Sequence, residues 1–219
     1  DGSGLALLGI SGDRVVDATV GWGGHATHLL SRIAPSGRLL ALDADPIELP
    51  RTLARLRAGA FDEAAVVGCR TNFAGLHAAQ GDAGWPDGAD VIFADLGVSS
   101  MQLDDPERGF SFKADGPLDM RMNPRRGVPA AVWIESASPE LLAETLRKNA
   151  DEPHADAIAR ALAGRREPIA TTKALAVAVR TAVSDRVHAD AAELAVRRVF
   201  QAIRMAVNDE LGALDAFLR

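Results

Sequence analysis

The 219-residue sequence lacks the features that mark secreted, membrane and polycationic proteins. It has one cysteine, Cys69, which excludes an internal disulfide and a thiolate metal cage. No apolar run approaches the roughly 20 residues that cross a bilayer, and no charged-then-apolar signal segment opens the chain. The net charge of −6 offers no global polycation for nucleic acid. We therefore expect an intracellular protein in a reducing compartment.

Charge is distributed unevenly along the chain. Residues 1–120 carry nine Lys and Arg against seventeen Asp and Glu, whereas residues 121–219 carry fifteen against thirteen. A polyanion is therefore expected to bind the second half of the chain, where basic residues would contact phosphate groups. The alternative for each of these residues is that it simply lies on a solvated helix face. The basic residues proposed for these contacts are Arg125, Arg126, Arg147, Lys148, Arg160, Arg165, Arg166 and Lys173.

The first hundred residues alternate short apolar runs with helical patterns, which predicts repeated βα units around a parallel sheet. The predicted strands are 14–20, 38–43, 64–69 and 90–96, and the helices between them are 25–33, 46–58 and 73–79. Residues 97–129 break this rhythm in a long segment rich in Asp, Arg, Gly and Pro, which is typical of a functional loop. Beyond it, Ala-rich patterns predict helices at 139–149, 153–164, 172–183 and 191–218. The fold class is therefore α/β with a doubly wound, mostly parallel sheet and an added helical part.

A glycine-rich turn follows the first predicted strand. Gly21, Gly23 and Gly24 precede His25, where a backbone without side chains and a helix N-terminus allow close approach of a ligand. Asp43 ends the second strand 19 residues after Gly24, a spacing that suits the hydroxyls of a ribose. Together they predict an adenosine-containing cofactor, either a nicotinamide dinucleotide or S-adenosylmethionine. No third ligand accompanies His25 and His28, so we expect no metal site.

The run from Asp95 to Met122 distinguishes between these cofactors. It strongly resembles the signature of the RsmH (MraW) family, enzymes that use S-adenosylmethionine to methylate the exocyclic N4 of a cytidine in small-subunit ribosomal RNA. The resemblance extends from about Val16 to Leu214. It is supported by four further stretches: Asp17–His25, Asn72-Phe73, Pro168–Thr172 and Phe200–Leu211.

The resemblance implies a sheet of the class I methyltransferase type, with a cofactor domain over 1–123 that includes the signature loop 97–123. A helical substrate-side subdomain would span 124–190, and a helix over 191–219 would return to the cofactor domain. The implied cofactor, S-adenosylmethionine, would be held by Gly23, Gly24, His25, Asp43, Phe73, Asp95 and Gln102. The implied partner is small-subunit ribosomal RNA or the assembled subunit, in the cytoplasm of a bacterium or, alternatively, in a mitochondrial matrix.

Methyl transfer to a base amino group needs the amino nitrogen to lie in line with the bond between the sulfonium and its methyl group, and it needs an acceptor for the amino hydrogens. We expect Asp95 at the reacting centre and Asp119 as the second candidate, while Ser99, Ser100 and Asp104 stay open as acceptors. An unpaired cytidine would be held by stacking on Phe110 or Phe112. Arg108 and Arg121 complete the expected substrate contacts, although Asp104, Asp105, Glu107 and Arg108 would alternatively form an internal ion-pair set.

The sequence departs from the family pattern in two places. The family's His-Pro-Ala-Thr-Arg stretch is Leu194-Ala-Val-Arg-Arg198 here, and the family's C-terminal strands are not found. We therefore expect an open edge at strand four and an apolar stripe, Val199 to Leu218, that is partly exposed or covered in a homodimer. The alternative function is a truncated, non-catalytic fragment that binds the cofactor or RNA, with weak stability and little methyl transfer.

Overall fold

A computed structural model describes residues 10–59 and 61–219. The first nine residues of the predicted cofactor domain lie outside this range. The chain divides into two compact units, residues 1–99 with 211–219 and residues 100–210. The functional domain limits expected at residues 123 and 190 stay predictions.

The first unit contains a four-stranded parallel sheet in the described residues. Its strands are β1 (Arg14–Asp17), β2 (Arg38–Leu42), β3 (Val66–Cys69) and β4 (Val91–Phe93), in the order β3-β2-β1-β4. Val16 lies opposite Leu40 on one side and Ile92 on the other. The order reverses at β1, and in such sheets ligands bind in the crevice beyond the carboxyl ends of the strands at that point. The predicted α/β class with a doubly wound parallel sheet is confirmed.

Helices cover both faces of this sheet because alternate strand residues point to opposite sides. Val15 and Leu39 pack with α1 (Gly24–Ile33) and α2 (Glu48–Ala58). Val16 and Leu40 pack on the other face with Trp85 and with α3 (Leu76–Asp82), which follows a 3₁₀ turn at Phe73–Gly75. β4 forms one edge of the sheet in the described part of the chain, and its central residue Ile92 is 48% exposed.

The second unit is helical. Inside the predicted long loop it begins with α4 (Ser100–Asp104) and a 3₁₀ turn at Pro106–Arg108. Four longer helices then pack in a ring in which α6 and α8 each contact both α7 and α9. The helices after the loop are α5 (Ala130–Ser136), α6 (Pro139–Ala150), α7 (Ala155–Ala163), α8 (Thr172–Val183) and α9 (Ala189–Val207). The bounds of α8 match the prediction, and the Thr171 hydroxyl caps it by accepting from the Ala174 N–H at 3.2 Å.

The single helix predicted over 191–218 is wrong, because the chain turns between α9 and α10 (Glu210–Phe217). Asp209 adopts a left-handed backbone with φ of 48°, which ends helical hydrogen bonding. The Asn208 amide group stabilises the break: it donates to the Arg204 carbonyl at 2.8 Å, and its other contacts reach the segment around Met120. The apolar stripe is therefore interrupted, with Val199 and Ile203 buried but Leu211 and Leu218 exposed.

Within the residues that the structure describes, none of the helices combines the length and the apolar character needed to span a lipid bilayer.

Candidate functional site

The glycine turn after β1 has a backbone that L side chains rarely adopt. Gly21 and Gly23 have φ of 47° and 90°, and the Gly23 N–H donates to the Val20 carbonyl at 2.8 Å. Gly23 is also the N-cap of α1, and no side chain caps this helix. A Cβ on Gly24 would meet no atom within 4 Å. The start of α1 is therefore open to a ligand that needs backbone N–H donors.

Asp43 is held against this turn by the backbone. One carboxylate oxygen accepts from the Gly21 N–H at 2.9 Å and the other from the Asp45 N–H at 2.8 Å. Burial raises the pKa of Asp43 to about 6, although both hydrogen bonds oppose the rise. Each oxygen keeps a second lone pair, so the carboxylate is oriented to accept two further hydrogen bonds.

Asp17, the last residue of β1, is a site residue that the sequence reasoning missed. It is fully buried, with one oxygen accepting from the Thr19 N–H at 3.1 Å. The other oxygen has no hydrogen-bond partner among the described residues. Burial, and then repulsion by Asp43 and Asp95, raises the pKa of Asp17 to about 7. The available signal was a carboxylate that ends an apolar strand directly before a glycine turn.

Asp95 follows β4 and is exposed. Its N–H donates to the Thr19 hydroxyl at 2.7 Å, and its Oδ2 lies 3.8 Å from Nδ1 of His25. The His25 ring packs edge-on to Phe93 with centroids 4.9 Å apart. Asp95 therefore joins Asp17 and Asp43 at the carboxyl edge of the sheet. Three carboxylates at one turn favour a cationic ligand and disfavour an anionic one.

Two further candidates lie in the first unit. Phe73 follows β3 and is partly buried, with its ring 5.7 Å from that of Phe217. Ser99 is near the glycine turn, since a Cβ on Gly21 would lie 3.5 Å from the Ser99 Cβ. The structure thus places Gly23, Gly24, His25, Asp43, Phe73 and Asp95 in loops and helix starts that follow the four strands.

The other predicted residues belong to the second unit. Gln102 is buried on α4, whereas Ser100, at the start of this helix, and Asp104, at its end, are exposed. Asp105 caps the following 3₁₀ turn by accepting from the Glu107 N–H at 3.0 Å. Arg108 donates to the carbonyls of Arg121 and Met122, both at 3.0 Å, so it ties the middle of the signature segment to its C-terminal end.

Asp119 and Arg121 form a bidentate ion pair. Nε and Nη2 of Arg121 each lie 2.7 Å from a different oxygen of Asp119. Burial opposes ionisation, but the hydrogen bonds from Arg121 outweigh it and hold the pKa of Asp119 below its ordinary value. Both oxygens of Asp119 are therefore already engaged.

The two candidate stacking rings are covered to different degrees. Phe110 is buried, with the Arg108 guanidinium 5.7 Å from its ring centroid. Phe112 is partly exposed and packs against Phe200, with centroids 5.0 Å apart. Of the two rings, Phe112 is the more accessible to a base.

The basic residues predicted to contact phosphate are all exposed in the second unit. Arg147 pairs with Asp156, whereas Arg125, Arg126, Arg165 and Arg166 form no ion pair within residues 10–59 and 61–219. Over the same residues, no group of three or more His, Cys, Asp and Glu side chains is arranged to hold a metal ion.

Residues 5–219 match the model of the MraW methylase family. The chain is 44% identical to Ribosomal RNA small subunit methyltransferase H of Halorhodospira halophila, in an alignment that covers 99% of this chain and 66% of that protein. It is 45% identical to the protein of the same name from Thermomicrobium roseum, over 94% of this chain and 62% of the relative. It is 40% identical to Ribosomal RNA small subunit methyltransferase H 2 of Alkaliphilus metalliredigens, over 94% of this chain and 60% of that protein. The chain thus spans 60% to 66% of the length of these relatives.

Proposed function

Because the chain belongs to the MraW methylase family, we propose that it transfers a methyl group from S-adenosylmethionine to the exocyclic N4 of a cytidine in small-subunit ribosomal RNA. The observation that carries this proposal is the meeting of Asp17, Asp43 and Asp95 at an open glycine turn. The curated relatives, named as small-subunit ribosomal RNA methyltransferases, support the RNA as substrate. The free RNA or the assembled subunit would be the partner, in the bacterial cytoplasm.

The charge of the site favours S-adenosylmethionine over a dinucleotide. S-adenosylmethionine carries a sulfonium, an ammonium and one carboxylate group, so its net charge is positive and three neighbouring carboxylates attract it. A nicotinamide dinucleotide carries a pyrophosphate, which the same carboxylates repel. The glycine turn alone suits both ligands, so the carboxylates are the feature that supports S-adenosylmethionine.

The residues present fit the proposed cofactor. The buried Asp17 oxygen without a partner would accept from the ammonium group, since a buried carboxylate oxygen is costly when it is left unpaired. Asp43 would accept from the ribose hydroxyls through its remaining lone pairs. Phe73 would lie against the adenine, and the open backbone at Gly24 would allow close approach. The resemblance adds His25 and Gln102 to this set.

S-adenosylmethionine, when bound, supplies an electrophilic methyl group. The cytosine amino nitrogen is a weak nucleophile because its lone pair is delocalised into the ring, so the protein must position it and accept a proton from it. We assign acceptance to Asp95, whose carboxylate is exposed beside His25. Asp119 is second, since Arg121 already occupies both of its oxygens.

The target base must leave any stack to reach this carboxylate, and we propose that it is unpaired in the bound RNA. Of the two predicted rings, Phe112 is the one accessible for stacking on an RNA base, because Phe110 is buried. The exposed arginines of the second unit would hold flanking phosphates without reading sequence.

The cofactor assignment is tested by Asp43→Ala. Loss of a charged acceptor for two hydroxyls is expected to weaken S-adenosylmethionine binding by about 1–3 kcal/mol in calorimetry. Asp87→Ala, at an exposed carboxylate of the same unit, serves as the control and should bind as the unsubstituted chain does. Equal affinity of the Asp43 variant and the control would remove Asp43 from the site. Binding without methyl transfer to any RNA would favour the alternative of a non-catalytic cofactor-binding fragment.

A further inference from the structure

The glycine turn presents a large aromatic side chain to solvent. Trp22 lies between Gly21 and Gly23, both with left-handed backbones, and is 54% exposed. The other tryptophan of the same unit, Trp85, is 1% exposed, so exposure is a property of this position. The half-exposed indole therefore offers solvent a flat apolar surface, which the described residues leave about half uncovered.

Arg55 of α2 fixes this indole in place. The centre of its guanidinium lies 5.0 Å from the Trp22 ring centroid, and Nη2 donates to the Trp22 carbonyl at 3.0 Å. The same Nη2 donates to the Thr52 hydroxyl at 2.7 Å, and this hydroxyl donates to the Gly21 carbonyl at 2.5 Å. Thr52 is fully buried, so ring, guanidinium and turn form one connected and oriented group.

The positive charge of Arg55 is not neutralised by this group. Its hydrogen-bond acceptors are a carbonyl and a hydroxyl, and it forms no ion pair with a carboxylate in the described part of the chain. Its Nε is buried and finds no hydrogen-bond acceptor among residues 10–59 and 61–219. An oriented guanidinium without a counter-anion, stacked on an exposed aromatic ring, combines the two features that recognise a nucleotide of a single strand.

We propose that Trp22 and Arg55 form a nucleotide-binding site in which Trp22 stacks an unpaired RNA base and the Arg55 guanidinium attracts the adjoining phosphate against the repulsion of the carboxylates at the same turn. The inference rests on the proposed function and deepens it, because it names a contact for a base that is not methylated. Base stacking on an aromatic ring tolerates any base, so the site positions the RNA strand and does not read its sequence. An apolar protein surface would fit the indole but would leave the Arg55 charge without a partner.

The test uses the 219-residue chain with a fluorescein-labelled single-stranded RNA oligonucleotide. Trp22→Ala is expected to weaken RNA binding about tenfold in anisotropy titrations, whereas Trp22→Phe keeps a stacking ring and should stay within about threefold. Arg55→Gln should also weaken binding and reduce its salt dependence. Arg57→Gln, on the same helix and paired with Glu63, is the matched control and should leave RNA affinity unchanged.

A spectroscopic readout separates stacking from a merely structural role. Unlabelled RNA should quench tryptophan emission of the unsubstituted chain, and Trp22→Phe should lose most of this quenching while it still binds RNA. S-adenosylmethionine affinity should change by less than about twofold in both Trp22 variants.

Unchanged RNA affinity of Trp22→Ala, or undiminished quenching in Trp22→Phe, overturns the inference and leaves the proposed function intact. An equal loss of cofactor and RNA affinity also overturns it, because Trp22 would then belong to the cofactor site. Failure of the unsubstituted chain to bind RNA at all overturns the proposed function together with the inference.

Discussion

At the scale of single residues, Asp17 shows how a site is prepared for a charged ligand. The side chain is fully buried at the end of β1, and one of its oxygens has no hydrogen-bond partner in the part of the chain that the structure describes. Burial raises its pKa from an ordinary 3.8 to about 7. Without a cationic ligand the acid and the carboxylate are therefore about equally populated near neutral pH, whereas a bound cation would favour the carboxylate.

The raised pKa of Asp17 predicts a pH-dependent stability. Because the folded chain binds this proton more tightly than the unfolded chain, the stabilisation is complete below about pH 4 and is lost as the pH rises through about 7. The Asp17→Asn side chain does not ionise. Between pH 5 and pH 8, the free energy of unfolding of this variant should therefore rise by about 3 kcal/mol relative to that of the unsubstituted chain. Urea denaturation at the two pH values measures this change. A difference that is the same at both would show that Asp17 does not titrate in this range.

From the sequence, Asp43 was predicted to lie near the glycine turn and Asp17 was not considered as a site residue, and the reason for this difference is physical. Asp43 was predicted from its spacing in sequence to the glycine turn, and in the structure the Gly21 N–H donates a hydrogen bond to its carboxylate. The raised pKa of Asp17 results mainly from burial, and burial depends on neighbours that are far away in sequence. The turn that holds Asp17 is closed by bonds from Ala18 to Phe93 and from Val20 to Leu42.

At the scale of elements, the junction between α9 and α10 is held by one side chain. Asn208 accepts from the Met122 N–H at 2.7 Å and donates to the carbonyls of Met120 and Arg204 at 2.7 and 2.8 Å. Met120 is fully buried and has a left-handed backbone, so this segment depends on distant partners for its conformation.

Asn208→Ala should destabilise the chain by about 2–3 kcal/mol, because three hydrogen bonds are lost and the Met122 N–H loses its acceptor. The comparison is Gln201→Ala, an exposed position on α9, which should change stability by less than about 0.5 kcal/mol. Chemical denaturation measures both. Equal stability of the two variants would mean that the helix break does not depend on Asn208.

Elements that follow a clear hydrophobic period were predictable, and those held by distant contacts were not. α8 begins at a threonine cap and follows a regular apolar pattern, so its bounds were predicted. α5 was missed because it is short and its first N–H groups bond to the carbonyls of Asp119 and Leu118. The α9–α10 break was missed because apolar spacing continues through it, while Asn208 bonds to residues more than eighty positions away.

At the scale of the whole molecule, the excess of acidic residues in the first half and of basic residues in the second predicts that most contacts with RNA phosphates lie in the second half. Replacing Arg125, Arg126, Arg165 and Arg166 with Gln should weaken RNA binding and lower its salt slope by about 2–3, with unchanged cofactor affinity. The matched control replaces Arg14, Arg32, Arg57 and Arg70 of the first unit, which removes the same charge. Anisotropy titrations over a range of salt concentrations give both slopes. The same slope in both variants would mean that net charge, and not this surface, attracts the RNA.

The most direct measurement is methyl transfer from radiolabelled S-adenosylmethionine to small-subunit ribosomal RNA, followed by digestion and nucleoside analysis. The predicted result is label in N4-methylcytidine, abolished by Asp95→Ala and retained in Asp87→Ala. Label in another nucleoside would contradict the cytidine assignment. No transfer to free RNA or to the small subunit, despite cofactor binding, would contradict the proposed methyltransferase activity of this chain.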